Sequence, residues 1–320
     1  MKKIISIILI LTILSISCIS MVGCGNKNNE KFTVGVCQLT QHPALDQATQ
    51  GFIDALKAEL GAENVEIDVQ NASGDTNVCN TIVGNFVSKN VDLIMANATP
   101  ALQSAYNATT SIPILGTSIT EYGVALGTTI VDGVVGGNVS GTSDLAPLDK
   151  QADMILEFCP NVKTVGIIYC SAEANSKYQV QEVKRHLESK GVTVTEYPFS
   201  DSNDISAVVT AAADKCDALY VPTDNTAASC AETIGNIVSE KKIPLFAGEE
   251  NTAMGCGVAS LTISYYDLGV ATGKMAAKIL KGEADISTMK IEYAPATKKY
   301  NKEMCDLIGL EVPKGYVEMK

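Results

Sequence analysis

From Lys31 onward, short apolar runs alternate with amphipathic stretches of helix length. That alternation restricts the chain to a parallel α/β architecture. The run Phe32-Thr33-Val34-Gly35-Val36-Cys37 is strand-like. Leu45, Ala48, Phe52, Ala55, Leu56 and Leu60 then share one face of a helix over 44–60 that Gly61 ends. Residues 65–69 alternate as a half-exposed strand. A helix over 76–89, a strand over 91–96, a helix opened by Pro100 and a strand over 112–116 follow. The stretch 123–147 is rich in glycine and reads as irregular. The alternation then restarts, with helices over 148–158, 174–189, 204–215, 226–240 and 267–281. Strands are expected over 162–169, 192–197, 217–221, 243–247, 257–263 and near 288–294, with a last helix from about 299 to 308. Two such runs predict two doubly wound parallel-sheet lobes joined by a hinge. The expected division is 32–140 plus about 248–284 for the first lobe and 141–247 plus about 285–295 for the second. Residues 296–320 are left without a lobe.

Residues 1–23 carry a different pattern. Lys2 and Lys3 precede an apolar run from Ile4 to Ile19, then come Met21-Val22-Gly23-Cys24 and a polar tether over 24–31. About 20 apolar residues can span a bilayer, so a retained helix is one reading. A small residue directly before a cysteine, with aliphatic residues upstream, instead resembles the lipobox of a bacterial lipoprotein signal peptide. That resemblance implies cleavage before Cys24, lipidation (a palmitate-type acyl chain) on Cys24, and a lipid-anchored protein on the extracytoplasmic face of the cell membrane.

The formal charge is −12 and no basic stripe occurs, which argues against nucleic acid as a partner. Eight cysteines remain besides Cys18 and Cys24, without any CxxC pair, so zinc-ribbon and thioredoxin-like sites are excluded. Cys37 and Cys170 fall in apolar strands, where a thiol behaves as a small hydrophobe; mostly unpaired cysteines are expected.

In doubly wound sheets, ligands sit beyond the carboxyl ends of the strands. The loops there are Gln38–Pro43, Asn97–Ala101 and Gly116–Ser118 in the first run, and Ser171–Ser176, Pro222–Thr226 and Gly248–Asn251 in the second. Asp, Asn, Ser and Thr at such places serve as helix N-caps in their own right. Six polar loops at matching strand ends of two lobes point further, to a shared cleft.

Five segments in order resemble one family's motifs. These are Gln38 to Asp46 with His42-Pro43-Ala44-Leu45-Asp46, Gly137-Asn138-Val139-Ser140-Gly141-Thr142-Ser143-Asp144, and Tyr169-Cys170-Ser171-Ala172-Glu173-Ala174-Asn175-Ser176. The others are Val221-Pro222-Thr223-Asp224-Asn225-Thr226 and Ser264-Tyr265-Tyr266-Asp267-Leu268-Gly269. Over residues 32–310 the chain resembles the ABC-transporter substrate-binding proteins with a type I periplasmic-binding fold, which include tryptophan and tyrosine receptors. Cys170 stands where the family pattern often has Asn. The resemblance implies a monomeric receptor with three hinge crossings, no cofactor, and an amino acid, aromatic by preference, as cargo. The implied partners are an ABC permease and its ATPase. A receptor for a nucleoside, sugar or signal molecule is the alternative within binding proteins.

Within that frame, Thr99, Thr117, Ser118 and Ser176 are candidates for an α-carboxylate. Asp224 is the first candidate for an α-ammonium, with Glu173 or Glu249 second, because a buried ammonium without a carboxylate is costly. Tyr265 and Tyr122 are candidates for an aromatic wall. Gln38, Asn175 and Asn225 complete the expected polar lining.

Enzyme motifs are missing. There is no HExxH or GxSxG segment, and Gly269-Val270-Ala271-Thr272-Gly273-Lys274-Met275 has one residue too few between its glycines for a phosphate loop. A surface-anchored hydrolase is the remote enzymatic alternative. Only His42 and His186 occur; His42 is expected in a turn and His186 on a solvated helix face.

Overall fold

The computed structural model describes residues 31–320, so the leader, the tether and Cys24 lie outside the described residues. The first sheet is built from β1 (Phe32–Gln38), β2 (Val65–Asn71), β3 (Leu93–Asn97), β4 (Ile114–Ile119) and β5 (Val139–Ser143). Between these strands run α1 (Pro43–Leu60), α2 (Thr76–Ser88), α3 (Thr99–Ala108) and α4 (Tyr122–Leu126). The second sheet uses β6 (Thr164–Cys170), β7 (Thr193–Phe199), β8 (Ala218–Val221), β9 (Leu245–Ala247) and β10 (Ala259–Thr262). Its helices are α5 (Leu148–Phe158), α6 (Ala174–Ser189), α7 (Ile205–Ala213), α8 (Asn225–Ser229), α9 (Ala231–Lys241) and α10 (Glu250–Cys256). The chain ends with α11 (Tyr265–Leu280), β11 (Glu292–Tyr293), β12 (Thr297–Tyr300), α12 (Lys302–Ile308) and β13 (Val317–Glu318).

Strand order is β11-β5-β4-β3-β1-β2 in the first sheet and β13-β12-β10-β9-β8-β6-β7 in the second. All pairings are parallel except β10 with β12. The buried runs of β3, β4 and β8 suit strands covered on both faces.

The chain passes between the sheets after β5, after β10 and after β11. The sequence-based division is corrected at several places. Residues 248–262 continue the second sheet, since β10 pairs with β9. Residues 285–293 return to the first, where β11 pairs with β5. Residues 297–320 complete the second. Periodicity gives the type of an element but not the sheet that receives it, and the short strands here carry little pattern of their own.

The stretch read as irregular contains α4 and the fully buried β5. Gly141 hides that strand in the sequence. It adopts φ 145°, and a Cβ there would strike the Gly116 backbone and the Tyr122 hydroxyl. The glycine permits close approach rather than ending an element. The helix expected over 226–240 is broken at Cys230 into α8 and α9, and the start of the helix expected from 299 is strand β12.

α11 crosses back to the first lobe and lies on α1. Side chains on Gly51, Gly269 and Gly273 would collide with the backbones of Tyr266, Ala48 and Phe52 respectively. The near-match to a phosphate loop is therefore a helix–helix contact surface. All eight cysteines of the described residues are unpaired, four of them fully buried in the apolar interior at Cys37, Cys79, Cys256 and Cys305.

Candidate ligand-binding site

The carboxyl ends of both sheets face one narrow cavity, lined by both lobes. The first lobe lines it with His42, Leu45, Ser118 and Thr120, and the second with Asn175, Thr223, Asp224, Asn225, Ala228 and Glu249. Asp144 and Tyr265 enter from the crossings. The lobes touch across it: His42 Nε2 lies 3.4 Å from Asn225 Oδ1.

Several expected ligand contacts prove to hold the protein together. Asp224 Oδ1 accepts from the Ala227 N–H at 2.8 Å, which caps α8, while Oδ2 accepts from the Cys170 N–H and the Ser176 hydroxyl, both at 2.7 Å. Burial and the Glu173 carboxylate push its pKa up to about 8, against the three donors. Glu173 accepts from the Asn225 and Thr226 N–H groups at 3.0 and 2.9 Å and from three side chains, those of Asn175, Asn225 and Thr226. Glu249 caps α10 through the Asn251 and Thr252 N–H groups and the Thr252 hydroxyl. The three acids named for an ammonium thus each neutralise a helix N-terminus.

Gln38 and Thr117 lie outside the cavity lining. Gln38 bonds Thr49 Oγ1, Asp46 and the Thr40 carbonyl, tying β1 to α1. Thr117 joins a buried hydroxyl chain with Thr142 and Thr272 at 3.2 and 2.9 Å. Tyr122 is a core residue, its hydroxyl donating to the Gly116 and Thr142 carbonyls at 3.0 Å, so it supplies no aromatic wall. His186 is not simply solvated: its Nε2 sits 2.9 Å from Asp153 Oδ1.

The residue that sequence reasoning missed is Asp144. It is buried, and Oδ2 accepts from the Tyr265 hydroxyl at 2.8 Å, while Oδ1 has no partner among the described residues. Burial pushes its pKa up to about 6, opposed by the Tyr265 bond. The available signal is its position, a lone acid directly after a strand whose glycines make the stretch read as irregular. Three more buried atoms of the lining lack partners: Ser118 Oγ, Asn175 Oδ1 and His42 Nδ1. Buried polar atoms are almost always paired, so four in one cavity define a surface made for a polar ligand.

Backbone strain accumulates at the same rim. Ala98 and Ser118, at the ends of β3 and β4, hold φ of 87° and 56° without being glycines. Ala98 gives α3 no side-chain cap, and Pro100 stands in its first turn. Thr99 is buried there, at an N-terminus that offers uncapped N–H groups.

The family model for ABC transporter substrate binding proteins matches residues 33–301. The chain belongs to that family. A tyrosine-binding protein of Clostridioides difficile is 37% identical over 296 residues, spanning 88% of this chain and 85% of that protein. A Streptococcus pneumonia ABC domain in complex with L-Trp superposes with a TM-score of 0.86 at 34% identity, covering 91% of this chain and all of that one. A ligand-free, open structure of a Clostridium difficile substrate binding protein with adhesive properties gives 0.69 at 37% identity, covering 90% of this chain and 100% of that one. This substrate-binding protein is thus nearer in shape to the liganded complex, although it is slightly more similar in sequence to the open one. His42 and Asn225 are in contact across the cavity. Among the described residues no helix is long and apolar enough to cross a membrane, and no group of His, Cys, Asp and Glu could hold a metal ion.

Proposed function

We propose that this chain is the extracytoplasmic receptor of an ABC importer and that it captures an amino acid with an aromatic side chain between its lobes. The observation that carries this reading is the unpartnered Asp144 Oδ1, a buried carboxylate oxygen of a residue that lines the cavity. An α-ammonium is the natural partner, because it supplies both the opposite charge and the missing donors. The α-carboxylate then belongs with the Ser118 hydroxyl and the uncapped start of α3 at Thr99. Tyr265 holds Asp144 in place and forms part of the wall. Asp224, Glu173 and Glu249 shape the second lobe's rim through their caps. The relatives named for tyrosine and bound to L-Trp support the aromatic class.

Closure around the ligand buries these polar groups together, and opening at the crossings releases the cargo to a permease that its ATPase drives. Anchoring through a lipid on Cys24 keeps the receptor beside that permease. A Cys24→Ala substitution is expected to abolish metabolic labelling with palmitate and release the protein from membranes.

A thermal-shift screen of the twenty amino acids, with nucleosides and sugars beside them, tests the ligand class. An aromatic amino acid at 100 times its dissociation constant should stabilise the protein by about 2.7 kcal/mol. Stabilisation by sugars or nucleosides alone would contradict the reading.

A further inference from the structure

We propose that His42 and Asn175 form a pole of the cavity that reads a hydrogen-bond donor on the ligand's ring, so that tyrosine or tryptophan is selected over phenylalanine. This inference rests on the aromatic amino-acid reading above and adds what that reading leaves open.

The protonation of His42 follows from its neighbour. The Asn225 amide nitrogen donates to Glu173 Oε2 at 2.7 Å, which leaves Oδ1 as the acceptor turned to His42 Nε2 at 3.4 Å. Nε2 must therefore carry the proton, and in the neutral ring Nδ1 is an acceptor. That atom is buried, on a residue 6% exposed, and has no partner among the described residues. Asn175 is fixed in the same way. Its amide nitrogen donates to Glu173 Oε2 and the Thr223 carbonyl, both at 3.0 Å, so its unpartnered Oδ1 is also an acceptor. Two residues of the lining thus carry oriented, unpartnered acceptors besides Asp144.

Sheet order separates them from the ammonium end. Asp144 follows β5 and His42 follows β1, with β4 and β3 between. Three strand spacings of roughly 4.8 Å divide the two positions along the rim. In the second lobe, Glu249 follows β9 whereas Asn175 follows β6, with β8 between. Asp144 is grouped with Tyr265 and feels the Glu249 charge, whereas His42 shares its end of the lining with Leu45, Asn225 and Ala228. A ligand whose ammonium meets Asp144 directs its side chain toward the end of the lining that holds these two acceptors. A ring that carries an O–H or N–H can donate to one of them, and a ring without one leaves both buried and unpaired.

Calorimetry with two ligand pairs tests the proposal: L-tyrosine against L-phenylalanine, and L-tryptophan against its benzothiophene analogue, in which sulfur replaces the N–H. The donor-bearing member should bind at least about tenfold tighter in one pair or both, the cost of an unpaired buried group. In His42→Phe that preference should fall to within about twofold. The wild-type comparison stands alone if the variant does not fold. Equal binding within both pairs overturns this inference and leaves the aromatic reading intact. So does an equal loss for both members in His42→Phe. Failure of all four ligands to bind overturns the aromatic reading and this inference with it.

Discussion

Asp144 and Asp224 show why residue type at a strand end does not identify a ligand contact. Both are buried acids after a strand. Asp224 has its two oxygens engaged by Ala227, Cys170 and Ser176, whereas Asp144 has one engaged by Tyr265 and the other without a partner among the described residues. The sequence marks the charge but not the donors folded against it, so Asp224 stood out and Asp144 did not. Ser118, Asn175, Asn225 and Tyr265 were legible because a polar residue after a strand must face the rim whichever partner it finds. Asp144→Asn should abolish amino-acid binding while raising ligand-free stability by roughly 1 kcal/mol at pH 7.5, since it removes a half-paired buried charge. Binding calorimetry and chemical denaturation check the two halves. The pH dependence has a definite sign. Burial raises the Asp144 pKa to about 6, above its unfolded value, so its contribution to ligand-free stability is present at low pH and lost as pH rises through about 6. Binding needs the ionised form, so affinity should fall by up to about tenfold per pH unit below that value and level off above it.

Among the elements, long amphipathic helices and apolar strands were legible because their periods differ and their lengths suffice to show it. The elements that escaped are those in which local chemistry opposes local geometry. β5 contains Gly141 because the Gly116 backbone and Tyr122 leave no room for a Cβ. Cys230 divides a single apolar pattern into α8 and α9. α11 carries glycines that look like a phosphate loop yet serve its contact with α1. Gly269→Ala should therefore destabilise the fold by about 1–3 kcal/mol, although alanine favours a helix, because the added methyl meets the Ala48 carbonyl. Thermal denaturation would show this as a lowered Tm. The caps allow a second contrast. Asp224→Ala should cost about 1–2 kcal/mol or more of stability through the loss of the α8 cap. At permissive temperature it should weaken binding far less than Asp144→Asn, which titration of the two variants would reveal.

For the whole molecule, the alternation of strands and helices predicted two lobes, and the structure supplies what periodicity lacks: which sheet receives each late strand. Three crossings bring Asp144, Tyr265 and the residues after β11 to the joint between the lobes, so the acid that we assign to the ligand sits at the hinge. Closure and binding are then one event. In the described arrangement His42 of the first lobe lies against Asn225 of the second. Small-angle scattering should show a larger radius of gyration without ligand and compaction on adding an aromatic amino acid.

The most direct test is calorimetric titration of L-tryptophan and L-tyrosine into the purified wild-type protein and into Asp144→Asn. Saturable one-to-one binding of at least one of them to the wild type, with no measurable heat in the variant, is the predicted result. Undiminished binding to Asp144→Asn, or no binding of either amino acid to the wild type, would contradict an ammonium held at the hinge by that carboxylate.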